Sequence, residues 1–350
     1  MTPAAALVPT PRQNGSMIDP FGRQISYLRV SVTDRCDLRC VYCMSEHMEF
    51  LPRRELLTLE ELDRLCTAFV ERGVKRLRLT GGEPLVRKNV MSLVRSLSRH
   101  LDSGALSELT LTTNGSQLAR FADELADCGV RRVNVSLDTL DADTLEDILK
   151  KDVYRRLQHT VPAVLAKKRV IEVLKEIHSV PEPVAVPTTV EERAPRLLAE
   201  CFRRGWQLRF IEQMPLDGGH VWQRSEMITG AEILAMLREE FELTEVPGRG
   251  AAPAERFLVD GGPATVGVIA SVTMPFCGSC DRLRLTADGQ LRNCLFANGE
   301  TDLRGPLRSG ATEEEIHALV HECLALKLPG HGINEPGFLQ PPRPMGAIGG

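Results

Sequence analysis

The spacing of hydrophobic positions changes repeatedly along this chain, and each change marks an element. Tyr27-Leu-Arg-Val-Ser-Val32 is a short, apolar, β-prone run. Thr58-Leu-Glu-Glu61 has the form of a capping box, with a hydroxyl three residues ahead of a glutamate, and predicts a helix that closes at Gly73. Arg76-Leu-Arg-Leu-Thr80 predicts a second strand, running into Gly81-Gly-Glu-Pro84. The spacing then predicts a helix over residues 90–100, a strand over 108–112 and a turn at Asn114-Gly115. A helix over 118–128 and a strand over 132–137 complete the series. Strand and helix alternate four times here, which implies a parallel sheet with helical crossovers. Residues 195–204 are again helical in spacing, and Gln207-Leu-Arg-Phe-Ile-Glu212 reads as another strand. The expected class is α/β, an incomplete (β/α) barrel whose strand C-termini converge on one site.

The pattern breaks between residues 147 and 192. Residues 150–177 read mostly as a charged amphipathic helix interrupted at Pro162, and Pro181, Pro183 and Pro187 follow. Proline cannot donate to a strand ladder, so this interval is a poor source of the fifth strand that a barrel needs there. Further on, 230–241 predicts a helix, 247–263 a Gly/Ala/Pro-rich linker or irregular loop, and 312–326 a helix. Residues 329–350 are rich in Pro and Gly. The division expected is a disordered leader over 1–16, a partial barrel over 17–229 that is atypical at 147–192, and a C-terminal region over 230–350.

Composition narrows the setting. The 350 residues are 43% hydrophobic and 26% charged, ordinary for a globular protein. No apolar stretch approaches the roughly 18–20 residues of a membrane span. Residues 1–13 lack the basic start and long apolar core of a secretory signal, so the expected location is the cytoplasm. A net charge of −4 argues against a general nucleic-acid surface, so any anionic ligand must be held by a local group of Arg and Lys. Of ten cysteines, Cys66, Cys128, Cys201 and Cys323 lie singly in helical patterns and read as buried small apolar residues. The other six form two triplets. In a reducing compartment such clusters read as metal ligands rather than disulfides.

The first triplet, Cys36, Cys40 and Cys43, is spaced C-x3-C-x2-C directly after the strand ending at Val32. Three close thiolates hold three irons of a [4Fe–4S] cube and leave the fourth open to a small molecule. Zinc is the competing reading, but structural zinc wants four ligands and no fourth Cys or His follows at finger spacing. The second triplet, Cys277, Cys280 and Cys294, is again three ligands without an obvious fourth. Arg282 and Arg284 follow two apart, so on an extended segment both face one way, and planar guanidinium forks suit phosphate oxygens.

Tyr42 ahead of the last cysteine gives the first triplet the look of the radical S-adenosylmethionine (SAM) signature. A longer ordered set makes the resemblance narrower: both triplets, Arg282-Leu-Arg284, Gly81-Gly-Glu-Pro84, Leu111-Thr-Thr-Asn-Gly115, Asn134-Val-Ser-Leu-Asp138, Arg209-Phe-Ile-Glu-Gln-Met214 and the terminal Ile348-Gly-Gly350. Together they resemble the GTP 3′,8-cyclase family, also called the molybdenum cofactor biosynthesis protein A family. The match covers about 17–145 and 193–350. The resemblance implies a (β/α)6-type radical SAM barrel with a C-terminal cluster-binding segment, two [4Fe–4S] clusters and SAM as cofactor. Cys36, Cys40 and Cys43 would hold the cluster that cleaves SAM to a 5′-deoxyadenosyl radical. Tyr42, Gly82, Ser136 and Met214 match SAM-contacting positions. Cys277, Cys280 and Cys294 would hold the cluster whose open iron meets the guanine edge of GTP. Arg29, Arg78, Thr112, Arg282, Leu283 and Arg284 match GTP-contacting positions, and Gly349 and Gly350 form the family's tail. The implied reaction removes hydrogen from C3′ of the GTP ribose and joins C3′ to C8 of guanine, with little acid–base work for side chains. Implied partners are GTP, a reductant protein such as flavodoxin or ferredoxin, and the downstream cyclic pyranopterin monophosphate synthase; a homodimer is left open, and neither nucleic acid nor membrane is implied.

One departure stands out. The family carries a Lys-x-Asn strand between the Ser136 and Arg209 strands. Here the interval holds Val173-Leu-Lys175-Glu-Ile, which makes Lys175 the candidate counterpart without the asparagine. Competing readings are another two-cluster radical SAM enzyme acting on peptides or sulfatases, a non-catalytic zinc or iron–sulfur binding protein, and an inactive relative.

Overall fold

Strand β1 (Tyr27–Ser31) alternates Leu28 and Val30 with Tyr27, Arg29 and Ser31. The alternation recurs on β2 (Arg76–Thr80), β3 (Glu108–Thr113), β4 (Arg132–Ser136) and β10 (Arg282–Leu285). A parallel strand apolar on both faces reads as a continuous hydrophobic run. These strands instead have one face fit for packing and one that is polar. The computed structural model, which describes residues 17–40, 42–44, 47–136, 172–178, 190–218 and 222–349 (172–178 and 190–193 as backbone), shows where each face goes.

Eight strands run parallel in the order β10-β1-β2-β3-β4-β5-β6-β9, where β5 is Glu172–His178, β6 is Gln207–Ile211 and β9 is Thr265–Ile269. Antiparallel strands extend both flanks. β11 (Gln290–Arg292) and β12 (Thr301–Asp302) continue beyond β10, while β8 (Glu255–Val259) and β7 (Leu243–Val246) continue beyond β9. Among the described strands the two outermost, β12 and β7, do not pair with each other. Both flanks of the parallel sheet therefore come from the C-terminal part of the chain.

The apolar face packs outward against helices. Leu28, Val30, Leu77, Leu79, Leu109, Leu111, Val133, Val135, Leu283 and Leu285 share one core with side chains of α1 (Leu59–Glu71), α2 (Val90–Asp102) and α3 (Leu118–Asp127). Beyond β5 the same core takes in α4 (Val190–Arg203), α5 (Gly230–Arg238), α6 (Arg304–Arg308) and α7 (Glu313–Ala325). Burying each such side chain contributes about 1.5–3 kcal/mol, enough to fix which face turns inward. The expected capping box forms: Thr58 N donates to Glu61 Oε2 at 2.7 Å, and Glu61 N donates to Thr58 Oγ1 at 3.1 Å. A last short helix, α8 (Met345–Ile348), precedes the C-terminal glycines.

Three sequence expectations change. The missing fifth strand is present as β5, hydrogen-bonded in parallel between β4 and β6, so at least 172–178 is not amphipathic helix. Its Val-Leu-Lys-Glu-Ile core pairs two apolar with two charged residues rather than alternating them, so the pattern alone does not announce a strand, and Pro181, Pro183 and Pro187 all lie beyond it. The supposed linker at 247–263 contains β8, because Phe257 and Val259 reach the core from an otherwise polar segment. Helix α4 begins at Val190, with Pro195 inside it rather than at its start. Residues 1–16, most of 147–192 and Gly350 lie outside the described residues.

Candidate active site at the two ends of one cavity

The polar face of the sheet lines a cavity of about 330 Å³. All six cysteines of the two triplets border it, with Arg29, Arg78, Thr112, Ser136, Met214, Tyr42 and Gly82. The triplets arrive from opposite ends. Cys36 follows β1, whereas Cys280 precedes β10, and these strands are parallel with Tyr27 beside Arg282 and Arg29 beside Arg284. The first triplet thus sits beyond the strand C-termini, as expected, and the second sits at the N-terminal ends.

Backbone contacts build the first loop. Cys43 N and Met44 N both donate to Cys40 O, at 2.9 and 3.1 Å, a single turn that brings Cys40 and Cys43 together. Gly82 N donates to Thr33 O and Glu83 N to Arg35 O, both at 2.8 Å, so the loop after β2 lies backbone to backbone on the loop after β1. A Cβ on Gly82 would collide with the Arg35 carbonyl. Glycine is required there for contact with the cysteine loop itself, besides any approach to a ligand. Glu83, fully buried, accepts from Leu85 N at 2.9 Å, Asn114 N at 2.6 Å and Thr113 Oγ1 at 2.8 Å, joining the loop after β2 to the end of β3. Its burial raises the carboxyl pKa to about 7.

Donors point at the thiols. Cys36 Sγ accepts from Leu38 N at 3.4 Å and from Asn114 Nδ2 at 3.7 Å. Asn114 is held by Asp37 Oδ1 at 2.8 Å, and Asp37 in turn by Ser116 Oγ at 2.7 Å. Burial pushes the Cys36 thiol up to about 11, while those donors pull it down. Burial also raises Cys277. Metal coordination removes such a proton outright. Among the described residues no three His, Cys, Asp or Glu side chains gather around a single ion. A cube asks for something else, since each thiolate binds a different iron. Partly buried thiols in threes, with N–H donors directed at sulfur, fit [4Fe–4S] clusters.

Between the ends the cavity is cationic. Seven arginines (29, 76, 78, 132, 209, 282 and 284) and one carboxylate, Glu108, are among its lining residues. Glu108 is paired with Arg132 at 2.5 Å, and Arg76 with Asp281. Arg29, Arg78 and Arg284 occupy one rung across β1, β2 and β10. Burial, then the neighbouring Arg29 and Arg282, pull the Arg284 pKa well below its ordinary value. Burial also lowers Arg282, which lies over the rings of Phe276 at 4.7 Å and Tyr27 at 5.3 Å. Such crowding is costly without an anion and favourable with one. Thr112 Oγ1 is buried with no hydrogen-bond partner among the described residues, an orphan that a ligand would satisfy.

The structure qualifies one expected contact and leaves another outside the described side chains. The Leu283 side chain lies in the outer core and is absent from the cavity wall, because it alternates with Arg282 and Arg284. Only its backbone is left for a ligand. Lys175 stands in register between Val135 and Leu208. Its side chain lies outside the described residues. The tail reaches the site: Gly349 O accepts from Thr80 Oγ1 at 3.1 Å and from Arg284 Nη1 at 3.2 Å. Its φ of +76° and the 2.8 Å that would separate a Cβ from Thr80 Oγ1 explain why it is glycine.

Comparison with known proteins agrees with this arrangement. Residues 30–186 match the family model of the radical SAM superfamily, and residues 206–333 match that of Molybdenum Cofactor Synthesis C. GTP 3′,8-cyclases of Brucella abortus (strain S19) and Brucella melitensis (biotype 2) are each 48% identical over 315 residues, covering 90% of this chain and 89% of theirs. The chain belongs to the GTP 3′,8-cyclase family. Among solved structures, Streptococcus suis SuiB bound to precursor peptide SuiA aligns over 90% of this chain and 68% of its own, with a TM-score of 0.60 and 12% identity. Native anSMEcpe with bound AdoMet aligns over 88% and 82%, with a TM-score of 0.59 and 13% identity. At such identities these two speak for the radical SAM fold alone.

Several site residues of this family member carry no decisive sequence signal. Asn114 is visible there as a turn residue within one of the ordered motifs, with no sign that it bonds to Cys36. Glu212, fully buried, accepts from Gly230 N, Val272 N and Thr273 N at 2.7–2.9 Å, and so ties the end of β6, two residues before Met214, to α5 and the 272–273 loop. Nothing in its local pattern announces that role.

Proposed function

We infer that this chain is a GTP 3′,8-cyclase, converting GTP to (8S)-3′,8-cyclo-7,8-dihydroguanosine 5′-triphosphate in the first step of molybdenum cofactor biosynthesis. The observation that carries the reading is the pair of cysteine triplets at opposite ends of one arginine-lined cavity. Cys36, Cys40 and Cys43 hold one [4Fe–4S] cluster, and Cys277, Cys280 and Cys294 the other. When bound, the first cluster and SAM supply a 5′-deoxyadenosyl radical that abstracts hydrogen. The chain's own work is to bind, orient and shield. Tyr42, Gly82, Ser136 and Met214 frame SAM near the first triplet. Arg29, Arg78, Arg282, Arg284 and Thr112 take GTP, whose triphosphate suits the shared rung of guanidinium groups. Gly349 is held by Thr80 and Arg284, two residues of the cavity wall, a position from which the tail helps keep water from the reacting carbon.

The reading extends to the cytoplasm as location, a flavodoxin- or ferredoxin-type reductant, and a cyclic pyranopterin monophosphate synthase that takes the product. Supporting it are the family and the two reducible clusters; separately, no helix among the described residues is long and apolar enough to cross a membrane. Anaerobic incubation of the iron-reconstituted protein with GTP, SAM and dithionite, followed by mass spectrometry, tests the activity. The cyclic triphosphate should form only when all three are present. Its absence, with both clusters intact and GTP bound, overturns the reading.

A further inference from the structure

Lys327 belongs to none of the sequence motifs, yet its ammonium lies inside the second cysteine end. The residue is 4% exposed. Its Nζ lies 3.8 Å from Cys280 Sγ and donates to Arg282 O at 3.1 Å and to Asn293 O. Those carbonyls belong to the residue two after Cys280 and the residue just before Cys294. One cation therefore joins the two separate segments that deliver the second triplet. No carboxylate lies within salt-bridge distance of Lys327 among the described residues. A buried ammonium satisfied only by carbonyls and a thiol is expensive unless an anion accompanies it.

The segment carrying Lys327 is itself anchored to the triplet. Arg23, buried and paired with Asp19 at 2.5 Å, donates to Cys277 O at 2.7 Å, Leu328 O at 2.7 Å and Pro329 O at 3.1 Å. The His331 backbone N–H bonds to the Cys277 thiol. Asn293 Nδ2 donates to Cys323 O at 3.0 Å. Residues 323–331 thus form a strap fixed to both ligand segments, with Lys327 pointing inward from its middle.

We propose that Lys327 is a positioning residue for the second iron–sulfur cluster: it fixes the Cys280 and Cys294 segments relative to each other, and its charge stabilises the reduced cluster. This rests on the reading of Cys277, Cys280 and Cys294 as cluster ligands. Thiolates and bridging sulfides make the cluster anionic, and one-electron reduction adds a further negative charge beside the ammonium. Cluster potentials follow net charge and hydrogen bonds to sulfur, so removing the cation makes reduction harder.

The test uses the full chain with Cys40→Ala, so that only the second cluster contributes to the spectrum. Iron, sulfide and the electron paramagnetic resonance signal are measured during a mediated redox titration of that protein and of its Lys327→Met and Lys327→Arg derivatives. Lys327→Met should disfavour reduction at least tenfold, a midpoint about 59 mV more negative for one electron. Lys327→Arg should recover part of the shift. Loss of second-site iron in Lys327→Met, with thermal melting of the metal-free protein unchanged, equally supports the anchoring role. A wild-type midpoint and signal in Lys327→Met overturns the proposal, as does a failure of Lys327→Arg to restore any of the shift. A lower melting temperature of the metal-free Lys327→Met protein also overturns it, because the lysine is then only part of the core. Absence of any cluster signal in the Cys40→Ala parent instead sinks the assignment of the second triplet.

Discussion

The two cysteine ends of the cavity differ in charge as much as in place. Around the first triplet the groups nearest the thiol are neutral or acidic, with Asn114 and Asp37 beside Cys36 and Glu83 buried behind them, while the cation Arg39 bonds to the loop backbone at the Cys36 and Leu38 carbonyls. Around the second they are basic: Lys327 against Cys280, Arg282 and Arg284 on the next strand, and Arg23 on the Cys277 carbonyl. The first end has glycines that let two loops lie in backbone contact; the second has a strap that pins two segments from outside. Similar ligand sets thus differ in what faces the sulfur: an amide and a carboxylate at Cys36, an ammonium at Cys280. The basic end suits a polyanion and an added electron, and the other end need not attract either. Under the proposed function, this separation keeps the radical source and the nucleotide grip apart along the same strands.

Removing one ligand from each end breaks the comparison most severely. Cys40→Ala should abolish 5′-deoxyadenosine formation while leaving the iron of the second site. Cys280→Ala should do the reverse, keeping much of the deoxyadenosine and losing the cyclic product. Iron analysis and product chromatography on both variants check this, and matching losses in the two would show that the ends are not separate. A smaller effect is expected within the basic end. Charge-assisted hydrogen bonds are worth roughly 1.5–3 kcal/mol, about one to two decades of affinity. Arg284→Ala should therefore weaken GTP binding about 10–100-fold in calorimetric titration with iron content unchanged. Lys at that position should restore only part of it, since a point charge lacks the planar fork. Equal affinities in all three proteins would return Arg284 to a purely structural role.

The smallest effect concerns the acidic end. Burial raises the Glu83 carboxyl to about 7 in the folded chain, above the roughly 4.3 expected when unfolded. A group raised in this way contributes stability that is fully present below its unfolded value and is lost as pH climbs through about 7. Each tenfold difference in proton affinity between the folded and unfolded chain corresponds to about 1.4 kcal/mol. Urea unfolding of the metal-free protein should therefore show wild type losing on the order of 3 kcal/mol relative to Glu83→Gln between about pH 4 and 8. Parallel pH dependences in the two proteins would mean that Glu83 keeps an ordinary carboxyl pKa.

Much of this site is legible in the chain's own pattern. The alternation Arg-Leu-Arg-Leu in β2 and Arg-Leu-Arg-Leu in β10 places the guanidinium groups on one face, and the cysteine spacings limit the ligands to threes. The pattern does not say which end of the sheet each triplet reaches. That depends on β10 joining β1 in parallel across some 250 residues of chain, a pairing with no local signature. Lys327 and Arg23 are hidden for the same reason, since each acts on carbonyls about 34 to 306 residues away. Strand β5 escapes the sequence reading because its two apolar residues followed by two charged ones lack a strand's two-residue period and resemble a helix face when no neighbour is known. Leu283 enters the expected contacts through the family resemblance, and the two-residue period of β10 turns its side chain to the outer core, leaving its backbone to the cavity side.

The central claim is that a radical made at the first end reaches the ribose of a nucleotide gripped at the second. GTP carrying deuterium at C3′, incubated anaerobically with the reconstituted protein, SAM and dithionite, tests this directly when the 5′-deoxyadenosine is analysed by mass spectrometry. The predicted result is a deuterium atom in the 5′-deoxyadenosine, formed together with the cyclic triphosphate. Unlabelled 5′-deoxyadenosine accompanying the same product would contradict it.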